Sequence, residues 1–306
     1  VSSDHLSDLL NLVDVRATLS GMMTVDGRWT TRATTCDRLK LIGVVQGRVT
    51  LRTDDAVAVN LESGDVAVLY GRSWLELRGG GQTGLIREVA PPVGYAEDLT
   101  TDGAPAEVVI GGHVDLDETG QVVLAESLPP VMHLRGASSL AQRVQRSLRF
   151  LLEETTGGAA GSTFALRQYS QLLLLEALRS PAPTEDLPPG WLRVISDEQL
   201  RPAVAAIHSD PRSRWSLADL ARAAHMSRTS FAERFRTAAG LPPRAYLTRW
   251  RMMLAQRSLR NLDVPVGVLA DQLGYGSESA FSNAFKREVG VSPQNFRVRG
   301  RRPTLV

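Results

Sequence analysis

Two short stretches carry side chains suited to reading a pattern of hydrogen-bond donors and acceptors. In the first, Arg228, Thr229, Ala232, Glu233 and Arg236 recur at helical spacing. In the second, fifty residues on, Glu278, Ser279, Ser282, Asn283 and Lys286 do the same. An Asn amide can pair bidentately with adenine, a Glu can accept from cytosine N4, and an Arg can match guanine or a phosphate. The chemistry expected is recognition of base edges in a groove. Arg236, Lys286, Arg249 and Arg251 suit phosphate contacts better than base readout, and Ser227 and Ser277 stand beside them as phosphate candidates.

The elements that must hold these side chains are written twice. Phe231 and Phe281 are fifty residues apart, as are Phe235 and Phe285, Gly240 and Gly290, Pro243 and Pro293, and the aromatic pair Tyr246 and Phe296. Upstream, Leu220-Ala221 matches Leu269-Ala270 at an offset of 49, so the second copy carries one extra residue in its turn. Each copy reads as a short helix, a tight turn and a second helix. Ser216, Ser227 and Ser277 are expected N-caps, Pro265 suits a first helical turn, and Gly240 and Gly290 stop their helices. The Phe pairs at i, i+4 face inward, which turns the polar residues named above outward. Between the copies, "PRAYLTRWRMMLAQRSLRNL" (243–262) repeats its apolar residues near helical period and predicts one long connecting helix. A short helix bracing a second one is the helix-turn-helix, whose second helix fits a major groove about 12 Å wide. Two of them on one chain can enter successive grooves.

The last hundred residues resemble the AraC/XylS family of bacterial transcription regulators. The strings that carry the resemblance are "SLADLARAAHMSRTSFAERFRTAAGLPPRAYLTRWRM" and "VGVLADQLGYGSESAFSNAFKREVGVSPQNFR". The resemblance implies an all-α domain of seven helices, binding to double-stranded promoter DNA, and activation through contact with RNA polymerase. His225 departs from it, standing in the first turn where the family favours Gly; a left-handed backbone there costs a His more than a Gly. Ala232 and Glu233 stand where some members carry base-reading residues.

Charge supports the partition. Residues 197–306 hold 18 Lys+Arg against 9 Asp+Glu, and residues 1–196 hold 17 against 24, so only the C-terminal third suits a polyanion. The 306-residue chain is long enough for two domains. Residues 16–127 read as β-rich, with short runs such as "LIGVVQGRVTLR" (41–52) and "DVAVLY" (65–70) broken by Gly, Asp and Pro clusters. This half resembles the cupin-type sensor domain of the same family. Residues 139–155 and 163–178 follow as two apolar helices, an αα-hairpin expected to pack on the sheets and to supply a homodimer interface. The expected partition is a sensor and dimerisation domain over 1–180, a Pro-rich linker over 181–196 and a DNA-binding domain over 197–300. The fold class is α+β: a cupin-like β-barrel or sandwich with an αα-hairpin, then the helical domain.

The cupin superfamily includes metal enzymes, but neither cupin-like string contains a His. His5, His113, His133, His208 and His225 are scattered, without the spacing of a ligand motif. No cofactor, bound metal or catalytic residue is expected. Trp29, Tyr70 and Trp74 are candidate walls for a small-molecule effector pocket, with ordinary core packing as the alternative. Cys36 is the sole cysteine; it excludes an internal disulfide, fits a reducing cytoplasm and is a candidate oxidant sensor. No stretch reads as a transmembrane helix or a signal peptide. The reading is a sequence-specific transcription regulator responding to a small molecule or stress. A cupin enzyme with a regulatory tail and a non-specific architectural DNA binder are the rivals.

Overall fold

The computed structural model describes residues 4–13, 15–35, 39–54, 58–80, 84–92, 94–100, 106–124, 127–136, 141–179, 187–261 and 263–300. Cys36 and Leu140 lie outside them. The chain forms two compact units, neither of which is one continuous stretch. One comprises residues 15–121 and 128–186, the other 1–14, 122–127 and 187–306.

Among its described residues, the first unit holds eleven strands. β1 (Val15–Val25), β3 (Leu39–Gln46), β6 (Val66–Tyr70), β9 (Gly94–Leu99), β10 (Glu107–Leu116) and β11 (Val131–Leu134) form one sheet, in the order β11-β6-β3-β10-β1-β9. β2 (Trp29–Thr34), β4 (Arg48–Thr53), β5 (Val59–Glu62), β7 (Trp74–Gly79) and β8 (Arg87–Glu88) form the other, in the order β5-β4-β7-β2-β8. Both sheets are open, so the expected choice between barrel and sandwich resolves to two sheets. Val49 and Leu51 of β4 alternate inward with Leu75 and Leu77 of β7, and these meet Met23, Ile42, Val44 and Val109 of the larger sheet in one core.

Two helices follow, α3 (Ala141–Gly157) and α4 (Ser162–Arg179), close to the spans their periodicity predicts. Val144, Leu148 and Leu151 bury the inner face of α3. Gly43 of β3 has Leu148 directly over it, and a Cβ there would collide with that side chain. On α4, Gln171 Nε2 donates to the Val15 carbonyl at 3.1 Å, which ties the hairpin to β1.

The second unit is helical. It contains α1 (His5–Leu10), α5 (Trp191–Ser196), α6 (Arg201–Ser209), α7 (Leu217–Ala223), α8 (Arg228–Ala239), α9 (Pro243–Asn261), α10 (Val266–Gln272), α11 (Glu278–Val289) and α12 (Pro293–Gly300). The short α2 (Glu118–Val123) ends in the segment 122–127 that belongs to this unit. This unit therefore also takes in residues 1–14 and 122–127, which the expected partition gave to the sensor domain, and 187–196, which it gave to the linker. Residues 191–196, expected within the linker, are a helix that buries Trp191, Leu192 and Val194, and the peptide N–H of Trp191 donates to Ser127 Oγ at 3.0 Å. Beneath the helices, Trp191 packs 4.1 Å from Tyr246, and His208 stacks 3.7 Å from Trp250, between ring centroids.

Candidate nucleic-acid interface

The two helix-turn-helix copies share a backbone hydrogen-bond skeleton. After α7, the His225 N–H donates to the Arg222 carbonyl and the Met226 N–H to the Ala221 carbonyl. After α10, the Gly274 N–H donates to Asp271 and the Tyr275 N–H to Ala270. This is a Schellman turn, made twice at an offset of 49. Its left-handed residue is His225 in one copy (φ 53°) and Gly274 in the other (φ 75°). The second helix then begins with a Ser N-cap in each case, Ser227 accepting from the Ser230 N–H and Ser277 from the Ala280 N–H, both at 3.1 Å. These caps are offset by 50, so the additional residue is Gly276, between turn and cap. Gly240 and Gly290 terminate the helices in left-handed geometry. Upstream, Ser216 and Asp219 form a reciprocal capping box at the start of α7.

Phe231, Phe235, Phe281 and Phe285 are each fully buried. They orient what remains. Arg228, Thr229, Glu233 and Arg236 of α8 are exposed and Ala232 half-buried; Glu278, Ser279, Asn283 and Lys286 of α11 are exposed and Ser282 half-buried. Each of the two polar faces is thus presented by a single helix, α8 or α11. Glu278 differs in one respect: its carboxylate lies over Gly267 of α10, and it sits in the first turn of α11, where the helix dipole favours an anion. Arg228 stands in the corresponding first turn of α8, where a cation is disfavoured.

Of the phosphate candidates, Arg249 is exposed on α9. Arg251 is half-buried and already engaged. Its Nε donates to the Pro211 carbonyl at 2.7 Å and its Nη2 to Ser213 at 3.0 Å, while the guanidinium lies over the Tyr275 ring at 5.6 Å. Burial lowers its pKa from the ordinary Arg value, and it braces the loop before α7 against the second turn. Ser227 and Ser277 are engaged as caps. Arg234, a neighbour the sequence did not single out, is held by Asp197 in a two-point ion pair at 2.8–3.2 Å, and Asp197 also caps the start of α6.

In the sheet unit the three aromatic candidates do not come together. Trp29 is 1% exposed and packs against Gly79, its indole donating to Glu107 Oε2 at 3.0 Å. Trp74 lies under the Arg32 guanidinium at 4.1 Å, and Tyr70 ends β6. A cavity of about 100 Å³ opens elsewhere between the sheets. Met23, Ile42, Leu75 and Leu77 give it apolar walls. Lys40 lines it too, its Nζ donating to Ser20 Oγ at 3.1 Å, as does Thr31, whose buried Oγ1 has no hydrogen-bond partner. Sequence reading missed Lys40 and Thr31 because strand alternation says which face a residue takes, not where a gap remains.

The histidines are not all scattered. His133 bonds to the buried Asp65 at 2.8 Å and pins β11 to the turn before β6. His5 and His208 meet edge to face, ring centroids 5.2 Å apart, with Asp8 beside them. Burial, with a smaller effect of the His5 charge, pushes His208 down to about 3.

Comparison with known proteins decides the identity. A family model described as Cupin matches residues 4–182, and one described as Helix-turn-helix domain matches residues 220–299. An AraC-like transcription regulator of Streptomyces antibioticus is 34% identical over 96% of this chain and 98% of its own. The chain belongs to the AraC-like transcription regulators. A second member, from Streptomyces lividans, is 33% identical over 99% of both chains. Among solved structures, the DNA-binding domain of AdpA in complex with a target DNA is 34% identical to 35% of this chain and 99% covered, with a TM-score of 0.33. In this AraC-like regulator, then, the cupin domain and the duplicated helix-turn-helix are both present, as the two resemblances implied. No helix among the described residues is long and apolar enough to cross a membrane.

Proposed function

We propose that the protein binds promoter DNA with α8 and α11 in two successive major grooves and activates transcription from there, in response to a small molecule held between the sheets. The observation that carries the reading is the pair of equally built turns, each presenting an exposed, hydrogen-bonding helix face. The connecting helix α9, 19 residues and about 28 Å long, links the two units and sets their spacing in this reading. Asn283, Ser279, Arg228 and Thr229 are the base readers in this reading, and Arg236, Arg249 and Lys286 hold the backbone. Contact with RNA polymerase is what the family resemblance adds. Footprinting of the strongest genomic site tests the proposal. Two protected segments about 10–10.5 base pairs apart beside a promoter support it. Uniform, sequence-independent protection favours the architectural binder instead.

The cavity supports the sensing half. Its apolar walls with Lys40 and the unpartnered Thr31 hydroxyl suit a small apolar molecule bearing one hydrogen-bond acceptor. Phe150, Phe164 and Leu172 expose apolar surface on α3 and α4, which suits a homodimer formed through the hairpin.

A further inference from the structure

Outside the DNA-reading faces and the sheet cavity, one cluster brings together three side chains of ligating chemistry. It belongs wholly to the helical unit. His5 and Asp8 are one turn apart on α1, so they share a face of that helix. His208 comes from the last turn of α6. One ligand atom from each lies within 4.8 Å of the other two, and His5 Nδ1 stands 3.8 Å from Asp8 Oδ2. No other group of three His, Cys, Asp or Glu side chains meets this geometry among the described residues.

We propose that His5, Asp8 and His208 bind a divalent first-row transition ion, with Zn²⁺ the best fit, and that the ion fastens α1 onto α6. Two imidazoles and a carboxylate are a borderline donor set, suited to Zn²⁺ and not to Mg²⁺ or Ca²⁺, which take oxygen ligands. A second observation points to the same place. His208 Nδ1 is buried and has no hydrogen-bond partner. Such an atom carries a desolvation cost that a metal bond would remove. The other ring nitrogen, Nε2, lies 3.0 Å from the Tyr246 hydroxyl. If Nε2–H donates to that oxygen, the Nδ1 lone pair is left for an ion, the usual outer partner of a metal-bound histidine. Trp250 stacks on the same ring and fixes its plane. Three ligands around a Zn²⁺ at 2.0–2.1 Å sit roughly 3.3 Å apart, so the cluster needs to close by about an ångström. Asp8 is exposed and has the rotamer freedom to do it. Its exposure also leaves a fourth position for water.

The test is titration of the untagged full chain, stripped with a chelator, against ZnSO₄ in competition with a metal-binding dye. Amide hydrogen exchange across residues 4–10 is followed in the same samples. The expected result is one equivalent bound, slower exchange in α1 with Zn²⁺, and at least a hundredfold weaker binding in His208→Gln and Asp8→Asn. Tyr246→Phe should weaken binding about tenfold, as loss of an outer partner does. Asp8 is a surface residue, so Asp8→Asn reads the site without disturbing the aromatic packing around His208. Absence of saturable binding overturns the proposal. So does binding that Asp8→Asn and His208→Gln leave unchanged, since the ion is then held elsewhere, and so does binding that leaves exchange in α1 unaltered.

Discussion

His225 and Gly274 occupy the same place in two turns with the same hydrogen bonds, yet they are under different constraints. A Cβ on Gly274 would collide with the Arg212 carbonyl, whereas His225 is exposed and pays only for its left-handed backbone. Gly274→Ala should therefore destabilise the protein by about 2 kcal/mol or more, and His225→Gly should stabilise it by up to about 1 kcal/mol, both read from denaturant midpoints. Arg228 offers a separation of stability from function. At the first turn of α8 its charge opposes the helix dipole, so Arg228→Glu should leave the melting temperature unchanged or slightly higher while promoter affinity falls at least tenfold in a gel-shift titration. His208 gives a pH effect with a definite sign. Its pKa is about 3 in the folded protein against 6.5 for the ordinary side chain, lowered by burial and then by His5, which itself faces Asp8, Arg201 and Asp4. The unfolded chain therefore takes up a proton below pH 6.5 that the folded chain refuses. The stability from neutral His208 is complete above that pH and lost as pH falls toward 3. In chelator-treated protein it should amount to about 2 kcal/mol between pH 7 and 5, and His208→Gln should flatten that part of the profile.

Among the elements, α9 holds two arginines that sequence alone treated alike. Arg249 projects from the surface, and Arg251 is consumed by carbonyls of residues 211 and 213. Arg249→Ala should reduce the slope of log affinity against log salt by about one and leave stability alone; Arg251→Ala should lower the melting temperature and leave the slope unchanged. The distinction was not legible in the sequence because it depends on a loop forty positions away. What was legible followed from local rules. The Phe pairs at i, i+4, the Ser caps and the stopping glycines each act within one turn of helix, and they place both recognition helices to within a residue or two. Strand alternation did the same for β3, β4 and β6. Trp29 shows the limit of such rules: it is large and apolar, as a pocket residue would be, but Gly79 opposite it leaves a slot that the indole fills.

On the scale of the whole molecule, the charge shift at 197 falls inside the helical unit and not at its edge. Leu187, Trp191, Leu192 and Val194 are buried within the helical unit, and Ser127 caps the start of α5 from another part of the chain. A fragment of residues 197–300 lacks all of these and should melt well below the full chain. A fragment beginning at 187 should recover part of the loss, and adding back a peptide of residues 1–14 more of it. Calorimetry of the three samples compares them directly.

The helical unit draws on distant stretches of the polypeptide, with His5 and His208 in ring contact though 203 positions apart. On a ribosome adding about 5–20 residues per second, α1 waits roughly ten to forty seconds for α6 to be made. α1 is thus made well before the helices of its own unit, and during that interval it is left to whatever holds nascent chains in solution.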